Sequence, residues 1–258
     1  MNFTSNFNNK GYHLEKNVFS TEAVTELVIE FDHIVTQLKE SGESINARWG
    51  SKLTQDIEET DSEVIHTHNV QSYSAKMLSM VQNKKLLDLI ELLIGPDIIL
   101  HHTKLFLKPP IKGSAFPLHQ DWSYFPSEKN SMIAAMIHLS ESTEEMGCIR
   151  IVPGSHQLGQ LEKSDGHSHI LGIHDRYHLD DADPIIAELG DIAFFHCCSL
   201  HGSMPNLSDK PRKTILIQLY SGRDKIIDGN KHTNFQLVLR GRNYYATRNN
   251  VDTDVANI

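Results

Sequence analysis

His119 and Asp121 stand two positions apart in Pro117-Leu118-His119-Gln120-Asp121-Trp122-Ser123-Tyr124-Phe125-Pro126. On a β-strand, residues i and i+2 point to the same face, so the imidazole and the carboxylate are expected to converge. With one more imidazole they make a 2-His-1-carboxylate set, which holds Fe(II) by one face and leaves positions open for ligands and O2. His201, in His201-Gly202-Ser203, is the expected third member. Arg212 follows eleven residues later. Its planar fork suits a carboxylate better than a lysine does, so it is expected to hold the distal carboxylate of 2-oxoglutarate, with Ser203 as a neighbouring hydroxyl donor. The chain contains 16 histidines, so chance pairs are common and spacing alone does not mark a ligand. His66-Thr67-His68 and His167-Ser168-His169 also have metal-like spacing, but neither has a carboxylate at a recognisable interval. Both are read as solvated or pocket-lining.

The elements that must position these groups are of two kinds. Residues 1–19 read as a poorly ordered lead. Ser20 or Thr21 caps a helix in which Val24, Leu27, Val28, Phe31, Ile34, Val35 and Leu38 recur at helical spacing to about Glu40. Residues 43–63 read as an acidic surface loop, and residues 65–70 as a strand or a loop. A second, apolar helix starts at Asn83 and stops at Gly95-Pro96. From Ile98 the texture turns β-rich. One strand runs from Ile98 to Leu107, and on it His102, Lys104, Phe106 and Lys108 share a face. Further strands are expected over Met132–Leu139, Cys148–Val152, Ile185–Leu189, Ile192–Phe195 and Thr214–Leu219, separated by turn signals. Short strands at such intervals predict a jelly roll. A hairpin is expected to bring Arg212 back to His201. The 158–182 stretch reads as an insertion over the barrel mouth, and with the 122–131 loop it is expected to seal the pocket. The segment past residue 222 reads as charged and Asn-rich. The expected organisation is therefore one domain: helices over 1–95, a β core over 96–222 and a C-terminal segment over 223–258.

Composition narrows the function classes. A net charge of −9 argues against a general nucleic-acid binder. Cys148, Cys197 and Cys198 are an odd set with two adjacent, which is not a disulfide framework. Cys197-Cys198 reads as a buried small pair. No apolar run approaches membrane-spanning length, so no membrane partner is expected and cytoplasm is the default location. The oligomeric state is open between monomer and homodimer.

An ordered set of motifs then identifies a family. The chain resembles the phytanoyl-CoA dioxygenase family of Fe(II)/2-oxoglutarate oxygenases in Lys108-Pro109-Pro110, Pro117-Leu118-His119-Gln120-Asp121, Tyr124-Phe125-Pro126, Gly147-Cys148, Val152-Pro153-Gly154-Ser155-His156, Gly190-Asp191, Phe194-Phe195-His196 and His201-Gly202-Ser203, with Arg212 at the family's interval. The likeness is collinear over roughly residues 83–222. It implies a double-stranded β-helix (jelly roll, cupin-like) with flanking helices, a metal triad of His119, Asp121 and His201, and 2-oxoglutarate anchored by Arg212. It also implies co-substrate contacts from Lys108 or Lys104. The family's mammalian acyl-CoA hydroxylase carries a Trp near the position of Ile137, which places Ile137 in the pocket wall. Halogenating relatives lack the carboxylate, so Asp121 favours hydroxylation.

The expected activity is hydroxylation of an aliphatic carbon of a small-molecule substrate, with release of succinate and CO2. His102, Gln120, Trp122, Tyr124 and Ile137 are the expected substrate-side residues. Two other classes remain open at this stage: a jelly-roll metal- or ligand-binding module without turnover, and a zinc hydrolase using the same three ligands. Acyl-CoA, a small amino acid or phosphonate, and a natural-product scaffold are all compatible substrates.

Overall fold

The computed structural model describes residues 2–48, 50–161, 172–227 and 234–246. The expected His167/His169 pair, part of the 158–182 insertion and the residues past 246 lie outside the described residues. Four α-helices are present there: α1 (Phe3–Lys10), α2 (Thr21–Glu40), α3 (Ala75–Val81) and α4 (Lys84–Ile94). Helix α2 starts where its sequence predicts. The Ser20 side chain accepts the Ala23 N–H at 3.2 Å, satisfying one of the first turn's unpaired donors. Its apolar stripe, Val24, Leu27, Phe31, Ile34, Val35 and Leu38, is buried. Asn83 caps α4 in the same way.

Among the described residues, eleven strands form two sheets. They are β1 (Tyr12–Glu15), β2 (Ile65–His68), β3 (Ile98–Lys108), β4 (Phe116–His119), β5 (Ile133–His138), β6 (Ile149–Ile151), β7 (Asp183–Pro184), β8 (Ile192–His196), β9 (His201–Ser203), β10 (Arg212–Ser221) and β11 (Leu237–Arg240). The larger sheet has the order β1-β8-β5-β10-β3-β11, with β2 also on β3; the smaller has the order β4-β9-β6-β7. The pairings are antiparallel. This is the expected jelly roll with flanking helices.

Strand alternation divides the core in two. On the outer face of the larger sheet, Ile133, Ala135, Ile137, Ile192, Phe194, Ile215 and Ile217 pack under the helices with Phe31, Leu86 and Ile90. On its inner face, Ala134, Met136, Ala193, Phe195 and Leu216 meet Ile149 and Ile151 of the smaller sheet. Ile137 therefore faces the helices, and its expected place in the pocket wall is corrected: the pleat gives that place to Met136.

Several elements depart from expectation. Residues 1–19 are not a loose lead. Asn2 caps α1, Gly11 ends it in the left-handed region at φ 80°, and β1 then adds to β8 as an edge strand, with Tyr12 opposite Phe195. Residues 185–189 form no strand; β7 lies at 183–184. Beyond Gly222 the chain returns as β11 on β3. Within the supposed surface loop, the Glu58 side chain is fully buried; its carboxylate accepts the Ala115 N–H at 3.0 Å and a hydrogen bond from Ser114, tying the loop to the entry of β4. Among the described residues, no helix is long and apolar enough to cross a membrane.

Candidate active site

The three expected ligands come from two neighbouring strands of the smaller sheet and the turn that follows the first of them. His119 ends β4 and lies opposite His201, the first residue of β9. Asp121 does not reach them by strand alternation. The strand ends at His119, and Asp121 opens a 3-10 turn over Asp121–Ser123. The turn aims the carboxylate back at the two rings, so convergence holds although its expected cause does not. All three residues are buried. Their ligand atoms lie within 4.8 Å of one another, and His201 Nε2 is 3.7 Å from Asp121 Oδ1.

Hydrogen bonds fix each group. His119 Nδ1 is 2.8 Å from the Pro117 carbonyl and His201 Nδ1 is 2.9 Å from the Ser199 carbonyl. A carbonyl only accepts, so both rings carry their proton on Nδ1 and turn the Nε2 lone pair inward. Gln218 Nε2 on β10 donates to Asp121 Oδ2 at 2.7 Å, which leaves Oδ1 facing the imidazoles. Burial, then the neighbouring His201, pushes the His119 pKa down to about 3, so the ring is in its neutral, ligating form. A buried carboxylate, two oriented imidazoles and outer partners on each are what an Fe(II) site requires, and the residues fit that ion.

A second polar group occupies the far end of β3 and β10. Arg212 is paired with Lys108 across these strands, and Lys108 Nζ donates to Ser203 Oγ at 2.7 Å and to the Met204 carbonyl at 2.6 Å. Arg212 donates to the Gly147 carbonyl. Gly147 is held at φ 63°, and a Cβ there would lie 2.6 Å from the Pro205 carbonyl oxygen, so this close approach requires glycine. Strands β9 and β10 lie in different sheets, so Arg212 reaches the His201-Ser203 segment across the barrel through Lys108, not by the expected hairpin. Burial pushes the Arg212 pKa down to about 10. Burial and then Arg212 push Lys108 well below its usual value. Among the described residues neither has a carboxylate within salt-bridge range. Beside them, both ring nitrogens of His138 and the Thr214 hydroxyl are buried without partners. Buried cations and orphaned polar atoms of this kind call for an anion.

Beside the triad lies a cavity of about 230 Å³, and of the second polar group Ser203 reaches its wall. Its wall includes the triad, Ser203, Lys104, Tyr124, and the imidazoles of His66 and His68. Apolar closure comes from Phe106, Phe116, Met136, Phe195 and Leu216. Lys104 has its pKa lowered to about 8, by burial against the opposing pull of Asp121. His66 is pushed down to about 4 by burial and by Lys104.

Of the expected substrate-side residues, Tyr124 lines this cavity and the other four do not. Gln120 points away: its amide donates to the Gly159 and Cys198 carbonyls and its oxygen accepts from Leu161, so it ties loops together. Trp122 packs with Phe125 and Met132. His102 does share its face with Lys104, but it does not line the cavity, and its ring lies 4.8 Å from that of Phe125. Ile137 is on the helix side. Gln218, Met136, Phe106 and Phe116 were not singled out as site residues from sequence. The alternation of β3 points Phe106 inward, but Gln218 has no local signal.

Comparison with known proteins decides the family. Residues 7–214 match the family model described as Phytanoyl-CoA dioxygenase (PhyH). The chain belongs to that family. The mouse peroxisomal phytanoyl-CoA dioxygenase is 28% identical over 236 residues, covering 86% of this chain and 68% of the mouse protein. A probable alpha-ketoglutarate-dependent hypophosphite dioxygenase of Stutzerimonas stutzeri is 31% identical over 169 residues, 62% of this chain and 58% of that protein. The chain thus spans under two thirds of some curated relatives. Among solved structures, a non-haem alpha-ketoglutarate-dependent carbocyclase from nogalamycin biosynthesis superposes with a TM-score of 0.73 at 19% identity, covering 88% of this chain and 86% of that one. That likeness supports the jelly-roll fold.

Proposed function

We propose that this member of the phytanoyl-CoA dioxygenase family is an Fe(II)- and 2-oxoglutarate-dependent oxygenase that hydroxylates an aliphatic carbon of a small molecule. 2-Oxoglutarate, O2 and R–H would give succinate, CO2 and R–OH. The observation that carries this reading is the pairing of an oriented His119/Asp121/His201 set with a buried Arg212/Lys108 pair that has no carboxylate partner among the described residues.

His119, Asp121 and His201 would hold the Fe(II), which when bound supplies the oxidising chemistry with O2. The Pro117 and Ser199 carbonyls keep both Nε2 atoms aimed inward, and Gln218 keeps Asp121 turned toward them. Arg212 would take the distal carboxylate of 2-oxoglutarate, with Ser203 and Lys108 beside it. Phe106, Phe116, Met136, Phe195 and Leu216 exclude water from the reacting carbon. A zinc hydrolase has no use for the Arg212 end, and a binding module without turnover would release no succinate.

The experiment is an anaerobic mixture of protein, Fe(II) and 2-oxoglutarate, followed by O2, across a panel of small metabolites. Succinate formed in step with a hydroxylated product supports the reading. Fe(II)-independent hydrolysis, or no succinate with any compound and none uncoupled, overturns it.

A further inference from the structure

We propose that the substrate is a small acid, a carboxylate or a phosphonate, whose anionic group pairs with Lys104 between His66 and His68. This rests on the oxygenase reading above and adds the substrate class to it.

Lys104 lines the cavity, with its Nζ 5.0 Å from the centroid of the Phe125 ring. Among the described residues no carboxylate or carbonyl hydrogen-bonds this ammonium. Asp121 is the acid in the described wall, and it is committed to the triad and to Gln218. A lysine kept in an apolar pocket against an aromatic face, with no carboxylate at hydrogen-bonding distance, is costly unless a ligand supplies the counter-charge.

Geometry separates Lys104 from the distal end of the co-substrate. It lies four residues before Lys108 on the same face of β3, about 13 Å along the strand at ~3.3 Å per residue. It lies opposite His68 on β2, and His66 is the inward neighbour on that strand, with its ring stacked on Phe106 at 6.0 Å. The Nδ1 atom of His66 is buried without a partner among the described residues. A lysine acts as a point charge and does not demand a planar partner, so planar and tetrahedral oxyanions both suit it. The cavity is about 230 Å³ and 2-oxoglutarate must enter it as well, so short acids are the first probes.

The test is calorimetric titration of the anaerobic Fe(II)/2-oxoglutarate protein with methylphosphonate, with propionate, and with propionamide as the neutral match. At least one acid is expected to bind about 10-fold or more tighter than propionamide. Which acid binds identifies the oxyanion. Lys104→Met and Lys104→Gln are expected to erase that preference, and Lys104→Arg to keep part of it. Fe(II)-dependent 2-oxoglutarate binding by each variant shows that it is folded. The proposal is overturned if neither acid binds, if propionamide binds equally well, or if Lys104→Met keeps the preference. It is also overturned if Lys104→Met weakens 2-oxoglutarate by the same factor, which assigns Lys104 to the co-substrate. Wild-type protein that fails to bind 2-oxoglutarate with Fe(II) instead sinks the oxygenase reading itself.

Discussion

His119, Asp121 and His201 form one three-donor cluster; His196, Cys197 and Cys198, just upstream of His201, form another with its donor atoms equally close. In the first, each ring is held by a backbone carbonyl at Nδ1 and Asp121 by Gln218, so both Nε2 atoms face inward. In the second, the donor atoms are occupied. His196 Nδ1 accepts the Cys198 N–H at 3.0 Å, and Cys197 Sγ lies 3.5 Å from the Asn130 carbonyl. The Cys197 and Cys198 carbonyls accept from the Trp122 N–H and from Gln120. The second cluster is a turn that locks the 120–122 segment under the first. What separates a ligand set from a structural knot is what the outward-facing atoms of each side chain are bonded to.

The largest expected effect breaks this comparison if it fails. Asp121→Ala and His119→Ala should each weaken Fe(II) binding by more than about 100-fold, beyond what loss of an outer partner costs. Cys197→Ser and Cys198→Ser should leave iron stoichiometry unchanged. Metal analysis after anaerobic dialysis reads both, and iron lost from the cysteine variants would reverse the assignment. Next, Arg212→Met should raise the 2-oxoglutarate Kd by about 10- to 100-fold, the equivalent of a charged hydrogen bond worth ~1.5–3 kcal/mol, with Fe(II) affinity retained. Anaerobic titration measures this. Gln218→Leu should cost about 10-fold in Fe(II) affinity by loosening Asp121, and equal affinity would remove Gln218 from the site.

The smallest effect concerns an imidazole with neither kind of support. Burial, then Arg212, pushes His138 down to about 3. In the unfolded chain its pKa is near the ordinary 6.5, so between these values the unfolded state binds the extra proton. Its contribution is complete above pH 6.5 and is lost as pH falls toward 3. Chemical denaturation should find the protein about 1 kcal/mol less stable at pH 5.5 than at pH 7 on this account. His138→Phe should flatten that part of the slope.

The sequence made the triad, Arg212 and the jelly roll legible because each depends on residue type in a fixed order. The α2 helix was legible because one stripe of seven apolar residues has a single period. Other features depend on long-range placement. The parity of β5 decides whether Met136 or Ile137 faces the pocket, and both are apolar, so no pattern distinguishes them. Asp121 converges through a 3-10 turn that alternation does not describe. β1 reads as polar lead sequence because it is short and lies at a sheet edge, where its partner β8 supplies most of the order. Gln218 and Glu58 act through partners 97 and 57 residues away, so nothing near them in sequence marks their roles.

The pairing of β1 with β8 also has a kinetic consequence. Tyr12 bonds Asp183 across 171 residues and sits in register with Phe195. A strand made early in translation must therefore wait for nearly the whole jelly roll before it has an edge to join. Closing so long a loop is slow, and until it closes, the edge of β8 is open to strands of other molecules. Refolding at rising protein concentration should accordingly lose yield to aggregation at this edge, and docking of residues 12–15 should be among the last events on the route to the native state.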